Sequence, residues 1–291
     1  MRTSIDCIPC FIRQTLDASR MVISDEKIIF KVMKKVMKKV ANFDLTLTPP
    51  EMGQIIHKII RSEIKNSDPY LNLKKQSTEK ALELSGKIKK IILESKNPFE
   101  TALRFSIAGN IMDFGMKSDW DEHYIMASFR TAEHQPLDLN TVQSLYNEIS
   151  TAKTVLILGD NAGESVFDRL FIETFPSKKD IFYAVKGSAV INDVTESEAV
   201  HAGIDRVACI ISNGTDIAGT LLSQCSEEFV KLFNKADVII SKGQGNFETL
   251  NTAPRKIYFL FQVKCDIIAR HYNYKPGEWL VTNCDNLKEV I

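Results

Sequence analysis

KTVLILGDNAGE, residues 153–164, is the stretch on which the fold turns. Thr154, Val155 and Ile157 bring β-branched side chains into a run that is apolar on both faces. The run stops at a Gly159-Asp160-Asn161 turn, and a helical pattern follows at 166–175. A short apolar run closed by turn residues and followed by a helix opens a strand–helix unit. Comparable runs stand at 181–185, 207–211, 237–241 and 257–263, with helical stretches at 195–202, 218–225, 227–234 and 264–271. This alternation predicts an α/β fold: a three-layer α/β/α, parallel-sheet (Rossmann-like) domain over 151–291.

Upstream, residues 1–150 read as an all-helical N-terminal domain. Between residues 28 and 40 the apolar positions recur every three to four residues, and Lys31, Lys34, Lys35, Lys38 and Lys39 take the other face. Ser24 is the expected N-cap. Thr48-Pro49-Pro50-Glu51 has capping-box spacing, and further helices are expected at about 72–94, 98–113 and 140–150.

The 291 residues carry 37 basic and 37 acidic side chains, with 44% hydrophobic content. That balance excludes the basic excess of a general nucleic-acid binder. Charges at Arg2, Asp6, Arg13 and Asp17 interrupt any signal-peptide core, and no uncharged run is long enough to span a membrane. Six cysteines are too few for a disulfide framework in a chain of this length, so a reducing, cytoplasmic compartment is expected. Oligomeric state is not readable from these features.

In a parallel sheet, ligands bind beyond the carboxyl ends of the strands. The residues there are Gly159-Asp160-Asn161, Lys186-Gly187 with Asn192-Asp193, Gly214-Thr215, Lys242-Gly243-Gln244-Gly245-Asn246, and Lys264-Cys265. Oxygen donors such as Asp160, Asn161 and Asp193 suit a hard divalent cation, Mg²⁺ or Mn²⁺. Glycine-flanked turns offer N–H groups to a phosphate, and Lys242 or Lys264 supplies positive charge. Taken singly, Asp-Asn beside glycine is ordinary turn chemistry and Asn192-Asp193 before a helix is an ordinary cap. Their convergence on one sheet edge describes a phosphoryl-transfer site.

The ordered set GDNAGE at 159–164, NDVT at 192–195, GT at 214–215, KGQGNFETL at 242–250 and VKC at 263–265 resembles the DUF89 family, the ARMT1-like or damage-control phosphatases. Cys7-Ile8-Pro9-Cys10 and the segment AGNIMDF at 108–114 resemble its archaeal and bacterial CxxC subgroup. The resemblance spans nearly the whole chain. It implies a metal-dependent phosphatase of small phosphorylated metabolites, such as sugar phosphates or damaged phosphometabolites. Mn²⁺ or Mg²⁺ is the implied ion, with Ni²⁺ and Co²⁺ as further candidates.

The resemblance puts the metal ligands on Asp160, Asn161 and Asp193, and the phosphate-binding lysine on Lys264. It brings Asn110 and Asp113 to the same cleft from the helical side. Glu164 either orients a water or is simply an acid in the first turn of a helix. Gly214, Thr215, Lys242, Gly243, Gly245 and Asn246 are the expected ester-orienting set. The attacking group is either water activated by the metal or the Asp160 carboxylate.

Two rival functions are S-adenosylmethionine-dependent methyl transfer to protein carboxylates and a non-catalytic metal- or nucleotide-binding module. Against the first, the 159–164 turn lacks the G-x-G pattern that lets a nucleoside cofactor approach. Cys7 and Cys10 are read as a reduced structural pair, with Cys265 the most plausible third thiol if they bind a metal.

Overall fold

The computed structural model describes residues 1–111, 131–132, 134–176 and 179–287. Among the described residues six helices come first: α1 (Cys7–Val22), α2 (Glu26–Val40), α3 (Pro49–Ile64), α4 (Leu71–Glu94), α5 (Pro98–Ile111) and α6 (Leu139–Thr151). Strands and helices then alternate. The order is β1 (Thr154–Leu158), α7 (Glu164–Ile172), β2 (Asp180–Val185), α8 (Glu196–Ala202), β3 (Cys209–Ser212), α9 (Glu227–Lys235), β4 (Val238–Lys242), α10 (Gln244–Leu250), β5 (Tyr258–Gln262), α11 (Asp266–Tyr272) and β6 (Trp279–Asn283).

Local signals place several of these starts. Glu51 accepts a hydrogen bond from the Thr48 backbone N–H at 2.7 Å, as the capping box requires. The cap of α2 is Asp25 rather than Ser24. Asp25 stands immediately before the first helical residue, and its carboxylate accepts the Lys27 N–H at 2.8 Å.

The six strands lie in the order β3-β2-β1-β4-β5-β6; β1 to β5 are parallel, and β6 returns antiparallel on β5. The sheet is therefore mixed at one edge, where the sequence predicts only parallel strands. Along β1, Val155 and Ile157 belong to one core and Leu156 and Leu158 to the other, the period-two alternation of a sheet covered on both faces. The first face carries α4 to α8; the second carries α9, α10 and α11. Helices α1 to α3 build a separate core around Val32, Val36, Ile56 and Ile60, and Ile267 packs against it.

This topology positions the site. The helix following β1, α7, packs on the first face, whereas the helix following β4, α10, packs on the second. Chains leaving two adjacent strands toward opposite faces open a crevice at the strand ends. The segment 218–225, predicted helical, is instead a loop with one short 3₁₀ turn at Leu222–Gln224. Its backbone is pinned by side chains, with Lys186 Nζ donating to Gly219 O at 2.7 Å and Thr220 N–H to Thr249 Oγ1 at 2.9 Å. Among the described residues no helix is long and apolar enough to cross a membrane.

Candidate active site at the ends of β1 and β4

Asp160 follows β1 by two residues, and the loop it begins is zipped to the loop before α8. Val194 N–H donates to Asp160 O at 2.8 Å, and Ala162 N–H to Asn192 O at 2.9 Å. Asn161 and Asp193 form an antiparallel bridge between them. Asp160, Asn161 and Asp193 are thereby gathered at one spot by backbone bonds alone.

Gly243 closes this spot from the β4 side. Its φ is +77°, and a Cβ there would lie 2.0 Å from Asp160 Oδ2, so only glycine lets the strand end pass over the carboxylate. Helix α5 closes it from above. A Cβ on Gly109 would lie 2.8 Å from the Phe167 ring, so α5 and α7 touch almost backbone to side chain. That approach delivers Asn110, whose Nδ2 donates both to Asp160 Oδ2 and to Glu164 Oε2, the latter at 2.7 Å. Lys264, exposed at the end of β5, reaches in to donate to Asn110 O at 3.4 Å.

The site is short of positive charge. Asp160, Glu164, Asp168 and Asp193 stand against two buried ammonium groups, Lys186 and Lys242. Even with Lys264 at the rim counted, full ionisation would leave the centre net negative, which favours a bound cation. Burial accordingly pushes the Asp193 carboxyl up to about 8, against the pull of Lys186. Glu164 is pushed up to about 8 by burial, against Lys242. Burial also raises Asp160, opposed first by Lys264 and then by Lys186.

Asp193 Oδ2 is buried without a hydrogen-bond partner, 3.5 Å from Lys186 Nζ. A buried carboxylate oxygen without a hydrogen bond, beside a second acid and an amide, can serve a hard cation as a donor. Among the described residues no three His, Cys, Asp or Glu side chains form a metal-holding group.

The other predicted residues are distributed around this centre. Lys242 lies beneath it, fully buried and bonded to Glu164, to Asp168 Oδ1 at 2.6 Å and to Ser106 O at 3.1 Å. Burial works to strip its proton, but Asp168 and Glu164 outweigh this and hold the ammonium charged. Asn246 is an internal brace, donating to Gly159 O at 3.2 Å and Lys242 O at 2.8 Å and accepting from Thr220 Oγ1 at 2.8 Å. Gly245 packs flat on the 218–219 backbone.

Gly214 and Thr215 spend their N–H groups on Ser212 Oγ and Asn213 Oδ1, and Thr215 O anchors the Gly187 N–H at 2.8 Å. The Gly243 N–H is likewise used, donating to Leu260 O at 3.2 Å. Asp113 lies outside the described residues. The sequence reading assigned no role to Asp168 or to Lys186. Lys186 has a visible signal, since it follows β2 as Lys242 ends β4, on either side of Asp160.

Cys7 is buried, Cys10 exposed and Cys265 half-buried, all with free thiols. Burial raises Cys7 and Cys10, and Cys265 adds to both shifts. The ion pair of Asp6 with Arg270 at 2.7 Å holds the start of α1 against α11. A cleft of about 680 Å³ lies elsewhere, beside α6 and β6, lined by Ser144, Lys256 and Trp279 among others and by none of the site residues above.

Fold and site together define an open, mostly parallel α/β protein with an acid–amide centre at the switch between β1 and β4. The model of the damage-control phosphatase ARMT1-like domain matches residues 3–280. An uncharacterized protein of Methanocaldococcus jannaschii is 33% identical over 287 residues, covering 94% of this chain and 92% of its own. A damage-control phosphatase of Pyrococcus horikoshii is 31% identical, covering 95% of this chain and 96% of its own. The crystal structure of a DUF89 family protein from the same organism superposes with a TM-score of 0.89 at 31% identity, covering 97% of this chain and 99% of that one. The chain belongs to the ARMT1-like, DUF89 family.

Proposed function

We propose that the chain is a divalent-metal-dependent phosphomonoesterase that hydrolyses small phosphate esters, of the class of sugar phosphates or damaged phosphometabolites. One observation carries the reading: the buried Asp193 Oδ2, 3.5 Å from Lys186 Nζ but without a hydrogen bond, set beside Asp160 and Asn161 in an acid-rich centre. Two of the relatives bear the name damage-control phosphatase, which supports the same class.

Asp160, Asn161 and Asp193 would hold the ion. Bound there, a divalent cation supplies charge neutralisation at the phosphoryl oxygens and acidifies water. Among the described residues Lys264 is the cation open to solvent at this edge, and it meets the phosphate of an entering ester. Asn110 fixes the Asp160 carboxylate and ties it to Glu164. Glu164, its two oxygens held by Lys242 and Asn110, stands close to Asp160 as the candidate group for proton exchange at the reacting centre. Lys242, enclosed beneath, holds Glu164 rather than substrate. Water attacks phosphorus, the ester P–O bond breaks, and the products are the alcohol and inorganic phosphate.

The test is hydrolysis of p-nitrophenyl phosphate and a sugar-phosphate panel with Mn²⁺, Mg²⁺, Ni²⁺ and Co²⁺, alongside a methyl-transfer control with S-adenosylmethionine. Metal-dependent release of phosphate that Asp160→Asn abolishes is the expected result. Activity retained by Asp160→Asn, or methyl transfer without phosphate release, overturns the reading. Acid-quench trapping of a phospho-enzyme would replace water by Asp160 as the nucleophile.

A further inference from the structure

Beneath the site, Lys242 makes three bonds with its three ammonium hydrogens: to the Glu164 carboxylate, to Asp168 Oδ1 at 2.6 Å and to Ser106 O at 3.1 Å. Asp168 is equally saturated. Its Oδ1 also accepts from Ser106 Oγ at 2.6 Å, and its Oδ2 from the Tyr183 hydroxyl at 2.7 Å. Glu164 and Asp168 stand one turn apart on α7, so both carboxylates leave the same face of the helix. Neither Lys242 nor Asp168 is more than 1% exposed, so substrate reaches neither.

A buried ion cluster is no more stabilising than well-packed apolar side chains of the same volume. This one has a geometric consequence, because its bonds continue upward. Glu164 offers one oxygen to Lys242 and the other to Asn110, and the same Asn110 nitrogen holds Asp160. An ammonium bonded to Glu164 alone would follow that side chain wherever it moved. Asp168, fixed in turn by Ser106 of α5 and Tyr183 of β2, gives the ammonium a second anchor. Four elements, α5, α7, β2 and β4, are thus bolted together at one point directly below the reacting carboxylate.

We propose that Asp168, acting through Lys242, is a positioning residue of the active site: it fixes Glu164 and Asn110, and so the orientation of the Asp160 carboxylate, without touching substrate or metal. The proposal rests on the phosphatase reading above. It predicts a loss in the chemical step with little change in substrate binding, since misplacing a reacting group by about 1 Å costs on the order of 100-fold in rate.

The experiment compares the full chain with Asp168→Asn, Lys242→Met and the double variant. It measures kcat and KM for p-nitrophenyl phosphate at saturating Mn²⁺, Mn²⁺ binding to the metal-free protein by calorimetry, and the side-chain amide resonance of Asn110. In Asp168→Asn we expect kcat at saturating Mn²⁺ to fall at least about tenfold, with KM within about threefold, weaker Mn²⁺ binding and a shifted Asn110 resonance. The double variant falls no lower than the worse single, because both act through one strut.

A folded Asp168→Asn with kcat within about threefold of the parent, or additive losses in the double variant, overturns the proposal. Should Asp168→Asn fail to fold, Tyr183→Phe and Ser106→Ala each remove one anchor of Asp168. Unchanged kcat in both would overturn the proposal equally. A parent protein inactive on every ester with all four metals overturns the phosphatase reading itself, an outcome distinct from an active parent with an unimpaired Asp168→Asn.

Discussion

Asn110 and Asp160 are fifty positions apart in the chain, yet the amide nitrogen of one donates to the carboxylate of the other across the junction of α5 and β1. The same nitrogen serves Glu164 at 2.7 Å, so one amide sets the spacing of two acids that would otherwise repel. Asn110→Ala leaves both carboxylates without that donor inside the site. The expected result is a fall in kcat/KM of about 100-fold, or roughly 2.7 kcal/mol of transition-state stabilisation, with the fold retained. Steady-state kinetics with Mn²⁺, paired with circular dichroism, checks it.

Asp193 gives a prediction about metal rather than rate. Its carboxyl is raised by burial to about 8 from an unfolded value of 3.8, so near pH 7 the metal-free protein carries it neutral. Between those values the folded chain binds a proton that the unfolded chain has lost, so this group makes stability fall as pH rises through the window. Asp193→Asn mimics the neutral form. The metal-free variant should match the parent within about 1 kcal/mol near pH 7 and lose less stability toward pH 8. What it loses is the ion: Mn²⁺ at about 100 times the parent's Kd stabilises the parent by about 2.7 kcal/mol and the variant by almost nothing. Thermal denaturation with and without Mn²⁺ reads both effects, and an undiminished Mn²⁺ shift in the variant would remove Asp193 from the ligand set.

Much of this site could be read from the residues themselves. Asp160, Asn161, Asp193 and Lys264 were reachable because residues following strands of a parallel sheet must lie along one edge. The bridge between Asn161 and Asp193 was not, because two irregular loops pairing over two residues leave no periodic trace. Lys242 and Lys264 look equivalent in sequence, and only the packing of α7 buries the first. A usable clue existed: Glu164 and Asp168 are acids four apart on a helix that also carries Val166, Phe167, Leu170, Phe171 and Ile172. Acids on so buried a helix require an internal cation. The seven residues of α10 are too few turns for a helical period to show, and its start at Gln244-Gly245 reads as a turn. The change of texture near residue 150 marks where strands begin, but α4 to α6 share their core with the sheet.

The α1–α3 bundle contains an acid-sensitive group of its own. His57 is buried on α3, with Nδ1 3.0 Å from the Tyr70 hydroxyl and Nε2 without a partner. Burial, and then the charge of Arg61, lower its pKa from 6.5 to about 3. Between those values the unfolded chain binds a proton that the folded chain refuses, so stability is lost as pH falls through the window. The slope approaches roughly 1.4 kcal/mol per pH unit. His57→Gln, which keeps a partner for Tyr70 but cannot be protonated, should flatten the acid limb of the urea midpoint between about pH 6.5 and pH 4.5. An identical limb in the variant would assign the acid sensitivity to other groups.

Lys264 differs from the two lysines below it in being open to solvent, with its backbone N–H fixed by Gln244 Oε1 at 2.9 Å and its ammonium resting on Asn110 O. Lys186 and Lys242 are engaged by acids and carbonyls, so among the described residues the charge left to meet an entering phosphate at this edge is that of Lys264. Lys264→Met should therefore lower kcat/KM by about 100-fold or more, while the melting temperature stays near that of the parent, because Lys264 is exposed and makes no direct ion pair with a buried acid among the described residues. Exposure adds a second signature. A charge in contact with water is screened by salt over about 8–10 Å, whereas the buried pairs are not. The parent's kcat/KM should fall as ionic strength rises, and the Lys264→Met line should be flatter. Parallel lines would mean that the phosphate is steered by charges other than Lys264, and would return the anion-binding role to the strand ends on the β2 side of Asp160.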